Sequence, residues 1–86
     1  MPTISRFYGI EVRIFYDDHN PPHVHAVYGE QELMVGLRPI RILAGQGAPR
    51  IRSMMLEWAL MHQEELLANW ERCREGQEPL PVAPLP

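Results

Sequence analysis

Lysine is absent from this chain of 86 residues, and all eight basic positions are arginines. Arginine is planar, always charged and able to grip a carboxylate or phosphate through two parallel N–H bonds, so the basic chemistry on offer is oxyanion recognition. Cysteine is nearly absent too. Cys73 alone excludes an intramolecular disulfide and any cysteine-rich zinc site. Serine occurs only as Ser5 and Ser53, neither with a Ser/His/Asp spacing around it, and "GQG" at residues 45–47 is too short for a phosphate-cradling loop. No apolar run approaches the roughly 20 residues a bilayer span requires. The opening "MPTISRFYG" lacks a charged stretch followed by an apolar one, so the expectation is a cytoplasmic protein without membrane association.

What is present is enough for one small domain. Hydrophobic residues make up 45% and charged residues 22%, which places the chain among globular proteins and away from disordered ones. A core of this size leaves little stability in reserve, so a second copy or a partner is expected. The net charge of −3 speaks against a strongly electrostatic nucleic-acid binder. Its distribution is uneven: Arg38, Arg41, Arg50 and Arg52 fall in an acid-free stretch, and the region after it is acidic.

"GIEVRIFY" alternates Ile10, Val12, Ile14 and Tyr16 against Glu11, Arg13 and Phe15, the period of a half-buried strand. Asp17 to Pro22 then breaks the ladder, because Pro21 and Pro22 carry no N–H. "HVHAVYG" reads as a second strand with His23, His25 and Val27 on one face. Gly29-Glu30 and Arg38-Pro39 are turns leading to "ELMVGL" and "IRILA". Links this short pair strands antiparallel. From Pro49 to about Arg74 the pattern is helical, with Met55, Leu56, Ala59, Leu60, Leu66, Leu67 and Trp70 on one apolar arc. The expected fold is α+β: a small antiparallel sheet of three to four strands packed by one long C-terminal helix, with residues 1–76 as the domain and 77–86 as an extended proline-rich tail.

Ile51, Met54, Trp58 and Met61 form a second apolar stripe on that helix, followed on the same edge by His62. Two coverings fit: a cognate small protein or second copy, or the segment "PTISRFY" folding back over it.

The chemistry concentrates in "DDHNPPHVHAVYG", residues 17–29. His23 and His25, two apart on a strand, lie about 7 Å apart at Cα, within reach of one common group. Two imidazoles near neutral pH can take a proton from one oxygen and return one to another, and an arginine can hold a phosphate between them. Metal-free RNA cleavage needs those parts, since the ribose 2′-OH supplies the nucleophile. On this reading His23 and His25 are catalytic. Asp18, His19, Tyr28, Arg6, Arg50 and Arg52 are the binding residues, the last two opposing the macrodipole of a helix start. No cofactor is assigned, and RNA is the expected substrate. The same histidines, with Asp18, His19 or His62, also suit a metal ion, although no HExxH or cysteine pair accompanies them. A third reading makes them structural members of an interaction module.

The segments "PTISRFYGI", "DDHNPPHVHAVYGE" and "LEWALMHQEELLANWE", with Trp58, His62, Glu65, Leu66, Asn69 and Trp70 in the last, resemble the bacterial family catalogued as domain of unknown function 4160. The stretch from Gly36 to Arg50 departs from the family pattern. The resemblance implies no established activity. It does imply a small bacterial protein that is often encoded beside a member of family 2442 in a toxin-antitoxin-like pair; with the histidine pair and the arginine supply, the expectation is that this chain is the toxin.

Overall fold

The computed structural model describes residues 2–86. Among them, β1 (Thr3–Phe7), β2 (Ile10–Arg13), β3 (His23–Tyr28), β4 (Gln31–Leu37) and β5 (Ile40–Gln46) precede α1 (Pro49–Met61) and α2 (Gln63–Arg74). The strands form one antiparallel meander in the order β1-β2-β3-β4-β5. The α+β class holds, with five strands where three to four are expected. The added strand is β1. Tyr8 and Gly9 both take positive φ, 50° and 82°, as a two-residue hairpin turn matched to strand twist demands. Tyr-Gly is a weaker turn signal than Asn-Gly, so the hairpin is quiet in the sequence.

One face of the sheet carries Ile10, Val12, Val24, Ala26, Leu33 and Val35, all buried beneath the helices. Register explains this: Val12 pairs Ala26, Ala26 pairs Leu33 and Val24 pairs Val35, so each apolar residue falls beside another on the same side. The opposite face carries Glu11, Arg13, His25, Glu32 and Met34. Gly45, at φ 95°, lets β5 pass close to β4, where a Cβ would run into the carbonyl oxygen of Glu32.

The single long helix is in fact two. His62 leaves helical geometry at φ −121° and ψ 23°, closing α1 and opening α2. Glu65, three residues on, bonds His62 Nδ1 at 2.7 Å, and Glu64 and Glu65 set negative charge in the first turn of α2. Gln63 donates to the carbonyl of Leu37 at 2.7 Å, anchoring the break to the end of β4. Of the apolar arc, Met55, Ala59, Leu66 and Trp70 are buried, whereas Leu60 is 65% exposed.

Residues 78–85 run back along the helices. Asn69 clamps the backbone of Leu80 with its Nδ2 donating to the carbonyl and its Oδ1 accepting from the N–H, both at 2.8 Å. Arg72 donates to the carbonyl of Glu78, Trp58 Nε1 donates to that of Ala83, and Val82 N–H reaches the carbonyl of Ile4 in β1. Val82 and Leu85 are buried as apolar anchors. The expected partner stripe is therefore largely covered by the chain itself. Trp58 is 0% and Ile51 4% exposed, with the Phe7 ring 5.3 Å from Trp58. Met54 is half-buried, and Met61 remains 53% exposed.

Asn69→Ala should cost about 1–2 kcal/mol in urea denaturation, because it removes the buried amide that makes both hydrogen bonds to the backbone of Leu80. A second prediction concerns acid. On the open face Glu11 accepts from Arg13 Nε at 3.0 Å and from Thr3 Oγ1, with Arg6 3.8 Å away. The bond from Arg13, then that from Thr3, holds its carboxyl at about 2 against an ordinary 4.5. The folded state keeps this charge more readily than the unfolded chain, so its stabilisation is complete above about pH 4.5 and lost as pH falls toward 2. Thermal melts followed by circular dichroism should show Glu11→Gln less stable than wild type at pH 7, with the difference shrinking between those values.

Candidate metal centre

The β2–β3 ladder ends at the pair Arg13–His25. Beyond it the chain from Ile14 to Pro22 leaves the sheet and returns across its end, where Pro22 can still accept from Leu37 N–H at 2.9 Å although it donates nothing. The Asn20–Pro21 peptide is cis. This excursion sets Asp18 over the first residues of β3.

His23 lies past the last rung of β2, 3% exposed, with its ring 5.2 Å from that of Trp70 on α2. His25 sits on the open face with the Phe15 ring perpendicular to its own, centroids 4.5 Å apart. The two imidazoles are 5.0 Å apart. Both Nε2 atoms converge on one oxygen: Asp18 Oδ2 is 3.2 Å from that of His23 and 2.9 Å from that of His25.

Tautomers follow from the far side of each ring. His23 Nδ1 is 2.8 Å from the carbonyl of Pro21, which can only accept, so Nδ1 carries the proton. His25 Nδ1 is 3.0 Å from Glu32 Oε2, and an ionised carboxylate likewise only accepts. In the neutral rings both Nε2 atoms are then unprotonated, and each lies close to a carboxylate oxygen. A positive centre among the three atoms turns the repulsion between them into attraction. His25 Nε2 lies within hydrogen-bond distance of Asp18 Oδ2, at 2.9 Å. His23 Nε2 is different: it is enclosed and, despite the 3.2 Å approach, has no hydrogen-bond partner.

The donor atoms of Asp18, His23 and His25 all lie within 4.8 Å of one another. Metal–nitrogen and metal–oxygen bonds of about 2.0–2.1 Å place tetrahedral donors about 3.3 Å apart, close to the two separations measured to Asp18. The Pro21 carbonyl and Glu32 carboxylate occupy the outer positions that orient metal-bound imidazoles through their second N–H.

The other expected site residues are scattered. His19 is exposed and lines an open cavity of about 530 Å³ together with Tyr16, Asp17, Asp18, Asn20 and Arg74. Tyr28 is at the far end of β3, against Gly9. Arg6 faces Glu11. The arginines of the acid-free stretch do not form one patch: Arg38 and Arg41 belong to the β4–β5 hairpin, while Arg50 and Arg52 sit in the first turn of α1, beyond the other end of β5. His62 pairs with Glu65 beside Trp58 and does not join the loop histidines.

Glu32 is the member that sequence reasoning misses. Val27 pairs Glu32 and His25 pairs Met34, so Glu32 is the diagonal cross-strand neighbour of His25, a relation visible once the register is known.

A family model described as domain of unknown function, DUF4160, matches residues 9–71. The chain belongs to this family. The DUF4160 match contains Asp18, His23, His25 and Glu32 and leaves β1 and residues 72–86 outside. No curated protein and no solved structure matches the chain. Among the described residues of this DUF4160 protein, no helix is long and apolar enough to cross a membrane.

Burial ranks the two histidines for stability. In buffer containing a chelator, His23→Ala should cost about 2–4 kcal/mol, because it opens a cavity beside Trp70 and frees the Pro21 carbonyl. His25→Ala, on the open face, should cost about 1 kcal/mol, and guanidinium unfolding of both variants reads the difference.

Proposed function

We propose that this protein is a metal protein binding one divalent first-row transition ion through Asp18 Oδ2, His23 Nε2 and His25 Nε2. The observation that carries the proposal is His23 Nε2, an enclosed ring nitrogen without a hydrogen-bond partner 3.2 Å from Asp18 Oδ2, while its opposite nitrogen is committed to the Pro21 carbonyl. Two imidazoles and a carboxylate suit zinc, ferrous iron, cobalt or nickel better than calcium or magnesium, which take oxygen ligands. Three protein ligands leave at least one position for water or a substrate group, the arrangement of reactive rather than purely structural sites.

The donor set favours this reading over a metal-free acid–base pair for RNA cleavage. Such a pair needs its imidazoles on opposite sides of a phosphate, whereas here both Nε2 atoms face one carboxylate oxygen and His23 is enclosed. A toxin-antitoxin-like role is compatible with a metal centre. In that setting a cognate small protein or second copy would engage the exposed Leu60 and Met61, since Ile51 and Trp58 are covered.

Untagged protein should bind about one equivalent of zinc or cobalt by calorimetry and native mass spectrometry. Asp18→Ala or His25→Ala should weaken binding by more than about 100-fold, and Glu32→Gln by about 10–100-fold through its hold on His25. Failure to take up stoichiometric metal, or unchanged affinity in Asp18→Ala, overturns the proposal.

A further inference from the structure

Resting on the metal reading, the structure points to a site for a small oxyanion, carboxylate or phosphate: we infer that it enters the cavity beside Asp18, takes the open metal position and is held from the opposite side by Arg74. Asp18 is the one residue common to the three-donor cluster and to the cavity formed with Tyr16, Asp17, His19, Asn20 and Arg74. Asp18 is the most accessible of the three ligands, its side chain 26% exposed against 3% for His23 and 13% for His25. A ligand therefore reaches the ion over Asp18.

Charge then selects the ligand. Asp17 and Asp18 outweigh the single guanidinium of Arg74, so the metal-free cavity is net negative and repels anions. A divalent ion reverses that sign, and the field of the ion itself becomes the largest one present. Arg74 makes no ion pair among the described residues, which leaves its fork of donors available. His19 and Asn20, both exposed on the same loop, and the Tyr16 hydroxyl add further donors along the wall. Arg74 also belongs to the last turn of α2, where its charge suits the helix end, so a role in stability must be separated from one in binding.

Cobalt(II)-loaded protein separates these possibilities, because the visible bands of the ion report its ligands directly. Inorganic phosphate and acetate are titrated in turn, with urea as the neutral control. The expected result is a saturable change in the bands with one or both anions and none with urea. Response to one anion alone identifies the source of the oxyanion and supports the site. Arg74→Ala should weaken anion binding about tenfold while leaving cobalt affinity within about twofold. Bands that neither anion moves, bands replaced by those of aqueous cobalt, or equal anion affinity in wild type and Arg74→Ala overturn the oxyanion site and leave the metal reading intact. Absence of a protein-bound cobalt spectrum in wild type overturns the metal reading, and this inference with it.

Discussion

The β2–β3 ladder stops at the Arg13–His25 rung, and much of what is distinctive in this protein follows from that stop. A strand pair that continued would bury the backbone of both partners in hydrogen bonds and leave no route for the chain to cross the sheet end. Pro21 and Pro22 have no N–H to offer a neighbouring strand, so the connection cannot zip onto β3 from that side. Ile14 instead sends its N–H to the carbonyl of Pro2, and the loop swings over the start of β3. Asp18 arrives above two imidazoles whose other nitrogens are already engaged, one by the proline carbonyl of the same loop and one by Glu32 on β4. The loop thus supplies the carboxylate and also orients one of the rings that meets it.

The helices serve this arrangement from behind. Trp70 on α2 closes the space around His23, and α2 is set in place by the break at His62, by Gln63 on the end of β4, and by Asn69 gripping the returning chain. Trp58 connects the same layers: its ring meets Phe7 of β1 and its indole N–H meets Ala83. An 86-residue domain has a small core, and residues 78–85 enlarge it by covering an apolar stripe that would otherwise face water. The stripe expected to mark a partner surface is for the most part internal.

Several elements were legible because their signals are local. Alternation placed β2, the turns at Gly29-Glu30 and Arg38-Pro39 marked off β3, β4 and β5, and proline at the first helical position placed the start of α1. Three features were not. β1 depends on a Tyr-Gly hairpin turn that few residues other than glycine favour. The helix break at His62 has no proline or glycine to announce it, although Glu64 and Glu65 after it are what a new helix start prefers. The covering of Trp58 depends on a segment that reads as an unattached proline-rich tail, since proline composition reports extended backbone and says nothing of what that backbone lies against.

The candidate site divides along the same line. Two-residue spacing on a strand is a covalent and dihedral fact, so the nearness of His23 and His25 was determined by the amino-acid sequence alone. So was the stiffness of the proline pair before them. Which atoms of those rings carry protons, which oxygen they share and which carboxylate stands behind His25 were decided by tertiary structure. They depend on strand register and on the path of a loop across a sheet end, and neither is encoded in local spacing. The arginines show the converse. Gathered in one acid-free stretch, they read as one patch, yet the extended strand β5 holds Arg38 and Arg41 apart from Arg50 and Arg52, because a strand advances about 3.3 Å with every residue.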